Sequence, residues 1–151
     1  IPTATILTPV SDGKLTSLPT LSGTAADNQS MRNVKVAFRK NSGTPLWYGG
    51  ASFSQAQSAP YFLQADTVPA GANMTWSYGP AGLDSNFVEG FYYTAVVAAF
   101  DTAGSSQTVF NIPASSRTCL MDRSAPTSPR LRMSRSMRAH DRNSADRCDA
   151  A

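Results

Sequence analysis

The sequence predicts an all-β domain, a two-sheet antiparallel sandwich of seven or eight strands, and three observations carry that expectation. Through residues 1–113, short apolar runs recur roughly every 10 residues, separated by Gly, Pro, Ser, Asn and Asp. No long window in this part holds a helical apolar period, so no crossover helix is available to a parallel sheet. One run, Phe91–Phe100, is apolar on both parities, with Tyr93, Ala95, Val97 and Ala99 on one and Tyr92, Val96 and Phe100 on the other. Side chains alternate between the faces of a strand, so this segment offers little polar surface on either side and belongs centrally in a sheet.

In chain order the expected strands are Ala4–Thr8, Thr16–Ala25, Arg32–Lys40, Leu46–Tyr48, Tyr61–Ala65, Met74–Tyr78, Phe91–Phe100 and Gln107–Ile112. Val34, Val36 and Phe38 alternate with Lys35 and Arg39, the pattern of a strand with one buried and one solvated face. Ser11-Asp12-Gly13, Asn41-Ser42-Gly43, Tyr48-Gly49-Gly50 and Pro69-Ala70-Gly71 supply turn chemistry between runs. The stretch Gly79–Gly90, holding Pro80, Gly82, Asp84 and Asn86, reads as a surface loop.

The chain is expected to divide at residue 113. Every Phe, Trp and Tyr lies before that point, where five basic residues face six acidic ones; residues 114–151 hold eight Arg, no Lys and four Asp. The net charge of +3 is thus a property of the C-terminal part. That part is Ser- and Arg-rich and poor in large apolar residues, and it is expected to be a disordered tail because it cannot offset the entropy of ordering. A short helix around Leu131–His140 is the one element considered there. The same composition is what an out-of-frame reading of a GC-rich gene gives near Ala114. The chain begins at Ile1 and reads as a piece of a longer polypeptide, with no run long enough to span a bilayer.

Five segments in order resemble bacterial immunoglobulin-like repeats. They are Ile6-Leu7-Thr8-Pro9 with Leu21–Asp27; Val34, Val36 and Phe38; Trp47-Tyr48-Gly49-Gly50 with Phe53; Thr75-Trp76-Ser77-Tyr78; and Tyr93, Ala95, Val97, Ala99, Asp101 and Gly104. Ser105 departs from the Asn usual after Ala-Gly. The resemblance covers residues 2–112 and implies an immunoglobulin-like sandwich. It also implies a place in large secreted or surface-anchored bacterial proteins, as a stalk, an adhesin segment or an accessory domain. The implied localisation is extracellular or on the cell surface. The implied partners are neighbouring domains and host or matrix glycans or proteins, not nucleic acid or the membrane interior.

The chemistry is sparse. Residues 1–113 have neither His nor Cys, so a Ser-His or Cys-His nucleophile is not available within them, and no catalytic residue is assigned. Asp84 and Glu89 are a conceivable glycosidase pair, but both sit in the Gly79–Gly90 stretch and are better read as solvated loop charges. His140 is alone. Asp27 and Asp101 follow strand ends, where carboxylates and loop carbonyls can form a hard-oxygen calcium site; ordinary turn formation is the competing reading. No other cofactor is expected. Trp76 and Tyr93 are expected to be structural, Tyr93 as a tyrosine corner. Trp47 and Tyr48 are adjacent on a short edge segment, so one of them must point outward and could stack on a sugar ring. The expected role is therefore a non-catalytic spacer or adhesion module, with a carbohydrate-binding accessory module built on Trp47 and Tyr48 as the alternative.

Overall fold

Eleven strands form in the computed structural model, which describes residues 1–10 and 13–124. They are β1 (Thr3–Thr8), β2 (Lys14–Leu15), β3 (Leu21–Ala26), β4 (Met31–Lys40), β5 (Leu46–Tyr48), β6 (Phe53–Gln55), β7 (Leu63–Gln64), β8 (Asp66–Ala70), β9 (Asn73–Tyr78), β10 (Tyr92–Asp101) and β11 (Ser116–Met121). One sheet runs β1-β3-β9-β8 and the other β2-β11-β10-β4-β5-β6, with β7 also on β4. All pairs are antiparallel except β2 with β11. The fold is the all-β sandwich that the periodicity predicts, with more and shorter strands.

β10 lies between β4 and β11, as its two apolar parities require. It pairs with β4 from Tyr93↔Lys40 to Asp101↔Met31 and with β11 from Tyr92↔Leu120 to Val96↔Ser116. Its inward parity (Tyr93, Ala95, Val97 and Ala99) joins Val34, Val36 and Phe38 of β4 in the core. The facing sheet contributes Ala4, Ile6, Leu21, Ala25, Met74 and Trp76. Trp76 packs so closely on β3 that only glycine fits at position 23. A Cβ there would collide with the Thr5 carbonyl and lie 2.6 Å from the indole ring.

The middle of the outward parity of β10 is covered too, while Tyr92 at its start is 51% exposed. Val96 and Ala98, with Ala37 of β4, are buried yet stand outside the inter-sheet core. Segment 105–107 pairs alongside the end of β10 (Asp101 N–H to Ser105 O, 3.1 Å; Gln107 N–H to Ala99 O, 2.9 Å). Pairing resumes at Ser115, whose carbonyl accepts Val97 N–H at 2.9 Å. The residues between leave the sheet plane, and Phe110 meets Phe62, ring centroids 6.1 Å apart.

Four expectations are corrected here. Gln107–Ile112 is not a strand; it is the detour just described, and Pro113 could not have given the ladder an N–H. The boundary at residue 113 cuts the fold, because β11 supplies one whole edge of β10 and buries Cys119 and Met121. Of the expected strand Thr16–Ala25 only Leu21–Ala25 is strand, in β3; residues 16–20 carry the chain from β2 in one sheet to β3 in the other. Gly79–Gly90 is not merely a surface loop, since Leu83 and Phe87 are 1% and 2% exposed and plug the open end of the sandwich. There Phe87 sits 4.8 Å from Tyr93 in an edge-to-face pair, and Phe53 is 5.2 Å from Tyr93. The turn at residues 11–12 and the remainder of the expected tail, with its Leu131–His140 helix, lie outside the described residues.

Two outcomes follow. Gly23→Ala is expected to destabilise the domain by about 3 kcal/mol, because the backbone of β1 cannot yield; urea melts read this directly. A chain ending at residue 113 should be unfolded by circular dichroism, whereas one ending at residue 124 should fold. Losing a paired edge and two buried side chains costs on the order of 5 kcal/mol, much of a small domain's stability. Equal melting of the two chains would refute the place given to β11.

Candidate functional site

Trp47 and Tyr48 are both buried, at 5% and 1% exposure, so neither offers a face for stacking on a sugar. Adjacent residues of β5 point to opposite sides of the strand. Tyr48 turns into the core, where its ring meets Phe53 at 5.4 Å and its hydroxyl donates to the Gly50 carbonyl at 2.9 Å. Trp47 lies outside that core but is still enclosed. Its indole N–H donates to the Gln57 carbonyl at 3.0 Å, and the Arg39 guanidinium stands 5.7 Å from the ring centroid. The chain after β6 folds back over it, an event with no signature in the local sequence.

Tyr93 and Trp76 are structural, as expected. The Tyr93 hydroxyl accepts the Val88 N–H at 2.8 Å, and burial raises its pKa. The Trp76 indole N–H donates to the Thr24 carbonyl at 3.3 Å.

Asp27 and Asp101, 74 positions apart, are brought together at one pole of the sandwich. β10 ends opposite Met31, and the Thr102 N–H reaches the Ser30 carbonyl at 3.0 Å, which closes the β3–β4 turn onto the end of β10. The Asp27 side chain is 2% exposed; Oδ1 is 3.4 Å from the Ile1 ammonium, and Oδ2 is buried without a partner among the described residues. Burial works against its charge. Hydrogen bonding, first of all from the Asn28 N–H, more than offsets that and holds the Asp27 carboxyl below its ordinary range. Asp101 is committed on one side, where Oδ1 accepts the Ser105 N–H at 2.7 Å. Calcium takes six to eight oxygens, and two carboxylates are a short donor set. Among the described residues no three His, Cys, Asp or Glu side chains gather.

Asp84 and Glu89 serve the opposite pole. Asp84 Oδ1 accepts the Leu18 N–H at 2.5 Å, and Oδ2 pairs with Arg123 at 3.0 Å. Arg123 also donates to the carbonyls of Asp84 (2.6 Å) and Phe87 (3.1 Å), so it clasps the plugging loop. Glu89 accepts from Ser124 Oγ at 3.1 Å. Arg123 lies in the Ser- and Arg-rich stretch whose composition reads as a tail, so nothing local in the sequence marks its role. Cys119 is buried, which pushes its thiol up to about 11, away from nucleophilic use near neutral pH.

Among the described residues no helix is long and apolar enough to cross a membrane. Comparison with protein-family models, curated proteins and solved structures found no match for this chain. The likeness to immunoglobulin-like repeats thus rests on the five sequence segments alone.

The carboxylates set an acid limit. Burial opposes the charge of Asp84, but the Leu18 N–H and Arg123 more than offset it; Lys14 and Ser124 act similarly on Asp122. A carboxyl held low when folded contributes stability that is present above its unfolded pKa of about 3.9 and lost as pH falls through the folded value. Stability is expected to be level near neutrality and to fall below about pH 4. Asp84→Asn should cost about 1–2 kcal/mol at pH 7, with the gap from the parent chain closing toward pH 3, as read by urea melts at both pH values.

Proposed function

We propose that this chain is a non-catalytic structural module that spaces or presents neighbouring domains in a longer secreted or surface polypeptide. One observation carries the reading: the chain enters the sandwich at one pole and leaves at the other. Ile1 stands beside Asp27, at the end where β10 finishes. Met121 accepts the Gly90 N–H at 2.8 Å, at the end where β10 begins. Ten residues of β10 separate the two, a span of about 30 Å. Modules entered and left at opposite poles extend a chain when joined in series. The inward direction of the largest aromatics supports the same reading, because Trp76, Tyr48, Phe38, Phe87 and Tyr93 are spent on the core. Trp47 and Tyr48, the stacking platform of a carbohydrate-binding module, are enclosed as well.

The test joins two copies of residues 1–124 head to tail and measures the product by small-angle X-ray scattering, beside a glycan array of the full chain. A particle nearly twice as long as one copy, with a blank array, is the expected result. A folded-back pair, or a glycan bound specifically, would sink the spacer reading.

A further inference from the structure

We infer that this chain pairs with a second copy of itself through the outward face of the sheet β1-β3-β9-β8. Strand register fixes that face, because residues directly opposite one another in antiparallel strands point to the same side. Thr5, Thr24, Thr75 and Val68 form one row across the four strands. Thr3, Ala26, Asn73 and Ala70 form the next. The hydroxyls of Thr5 and Thr24 meet at 2.8 Å, side by side on this surface. Val68 ends its row 68% exposed, and Leu7 projects 58% exposed at the bulge of β1.

The third row ends in Asp66, and that corner carboxylate is the one charge in three rows of four. A solvated surface carries roughly 25–35% charged residues, so about three or four would be usual over such an area. Every Lys and Arg among the described residues lies instead on the other sheet or just past it. They are Lys14 on β2, four residues of β4, Arg117 on β11 and Arg123 beyond it.

Lack of charge is what a self-pairing face requires. In a two-fold dimer the same patch lies on both copies, so a charged side chain near the axis meets its own like. Thr24 and Thr75 sit in the middle row on the two inner strands, nearest such an axis, and both are exposed and uncharged. Interface centres are depleted of charge in the same way. Sheet faces stack about 10 Å apart, a spacing that short side chains such as Thr, Ala and Val allow.

The edge of the same sheet is closed to a partner strand. β8 is outermost, and its hairpin with β9 turns tightly between Ala70 and Asn73, so Pro69 directs its backbone outward. Proline has no N–H to give, and a further strand cannot ladder along it. The size of the face sets the strength of pairing. Four strands of up to six residues, about 4.8 Å apart, give a footprint of roughly 400 Å². Specific interfaces begin near about 500 Å² of accessible surface per partner, and accessible surface exceeds its projection where side chains stand up. The face therefore suits a weak dimer, half formed at high micromolar concentration.

Sedimentation velocity of the full chain over a concentration series, with a reductant present, tests this. A rise from the mass of one copy to that of two at high micromolar concentration is expected. Thr24→Lys and Thr24→Glu, each first shown to be folded by circular dichroism, should self-associate at least about tenfold more weakly, because like charges then face one another. Mixing the two variants should restore pairing, which damage to the fold would not do. Should position 24 not tolerate charge, Thr75→Lys and Thr75→Glu give the same comparison. Arg39→Glu, on the other sheet, should pair as the parent chain does. A parent chain that stays single at every concentration, or a mixture no stronger than either variant alone, would overturn the inference. Pairing is read between separate chains, so it is judged apart from the length of joined copies.

Discussion

The structure depends on satisfying β10 on four sides at once. Its backbone groups need a partner on each edge, because a buried peptide group without one costs about as much as a lost hydrogen bond. Its side chains, apolar on both parities, need cover on each face. β4 and β11 take the edges, and the facing sheet takes the inner face. On the outer face Val96 and Ala98 are buried. Each requirement recruits a segment that would have little reason to order alone. β11 is the clearest case. Its own sequence, Ser116–Met121, holds few large apolar groups, and the unpaired edge of β10 is what makes it a strand.

That dependence explains what could be read in advance and what could not. Strands that carry their own pattern were legible: β4 through the alternation of Val34, Val36 and Phe38, β10 through its double parity, and β5 to its ends. Strands defined by their partners were not. β8 contains Asp66 and Pro69 and is largely exposed, and only its pairing with β9 makes it an edge strand. Composition located a change of character near residue 113, but counting apolar side chains does not count ladder bonds. By composition residues 114–123 therefore read as a tail although they close the fold.

The candidate site residues show the same division. The direction of Tyr93 and Trp76 followed from their parity and size. The meeting of Asp27 with Asp101 could be suspected from strand ends but depends on the β3–β4 turn closing over the end of β10. Enclosure of Trp47 involves a return of chain ten residues later, where the Gln57 carbonyl accepts the indole N–H. No spacing rule reports such a contact, because a backbone carbonyl is available at every position.

The distribution of charge separates two jobs that a small sandwich must do at its poles. At one, Asp27 and Asp101 hold the turns that close the sheet ends. At the other, Asp84 and Arg123 fasten a loop whose Leu83 and Phe87 fill the gap between the sheets. A β-sandwich is apolar between its sheets and open at both ends, so each end needs a plug whose backbone groups are bonded. Here the plug at the exit pole is held by a residue beyond the last strand. The final strand, the plug and the outgoing chain are therefore coupled, and the exit pole cannot loosen without releasing Arg123. Cohesion at the ends, rather than depth of any cleft, is what the polar side chains of this fold are spent on.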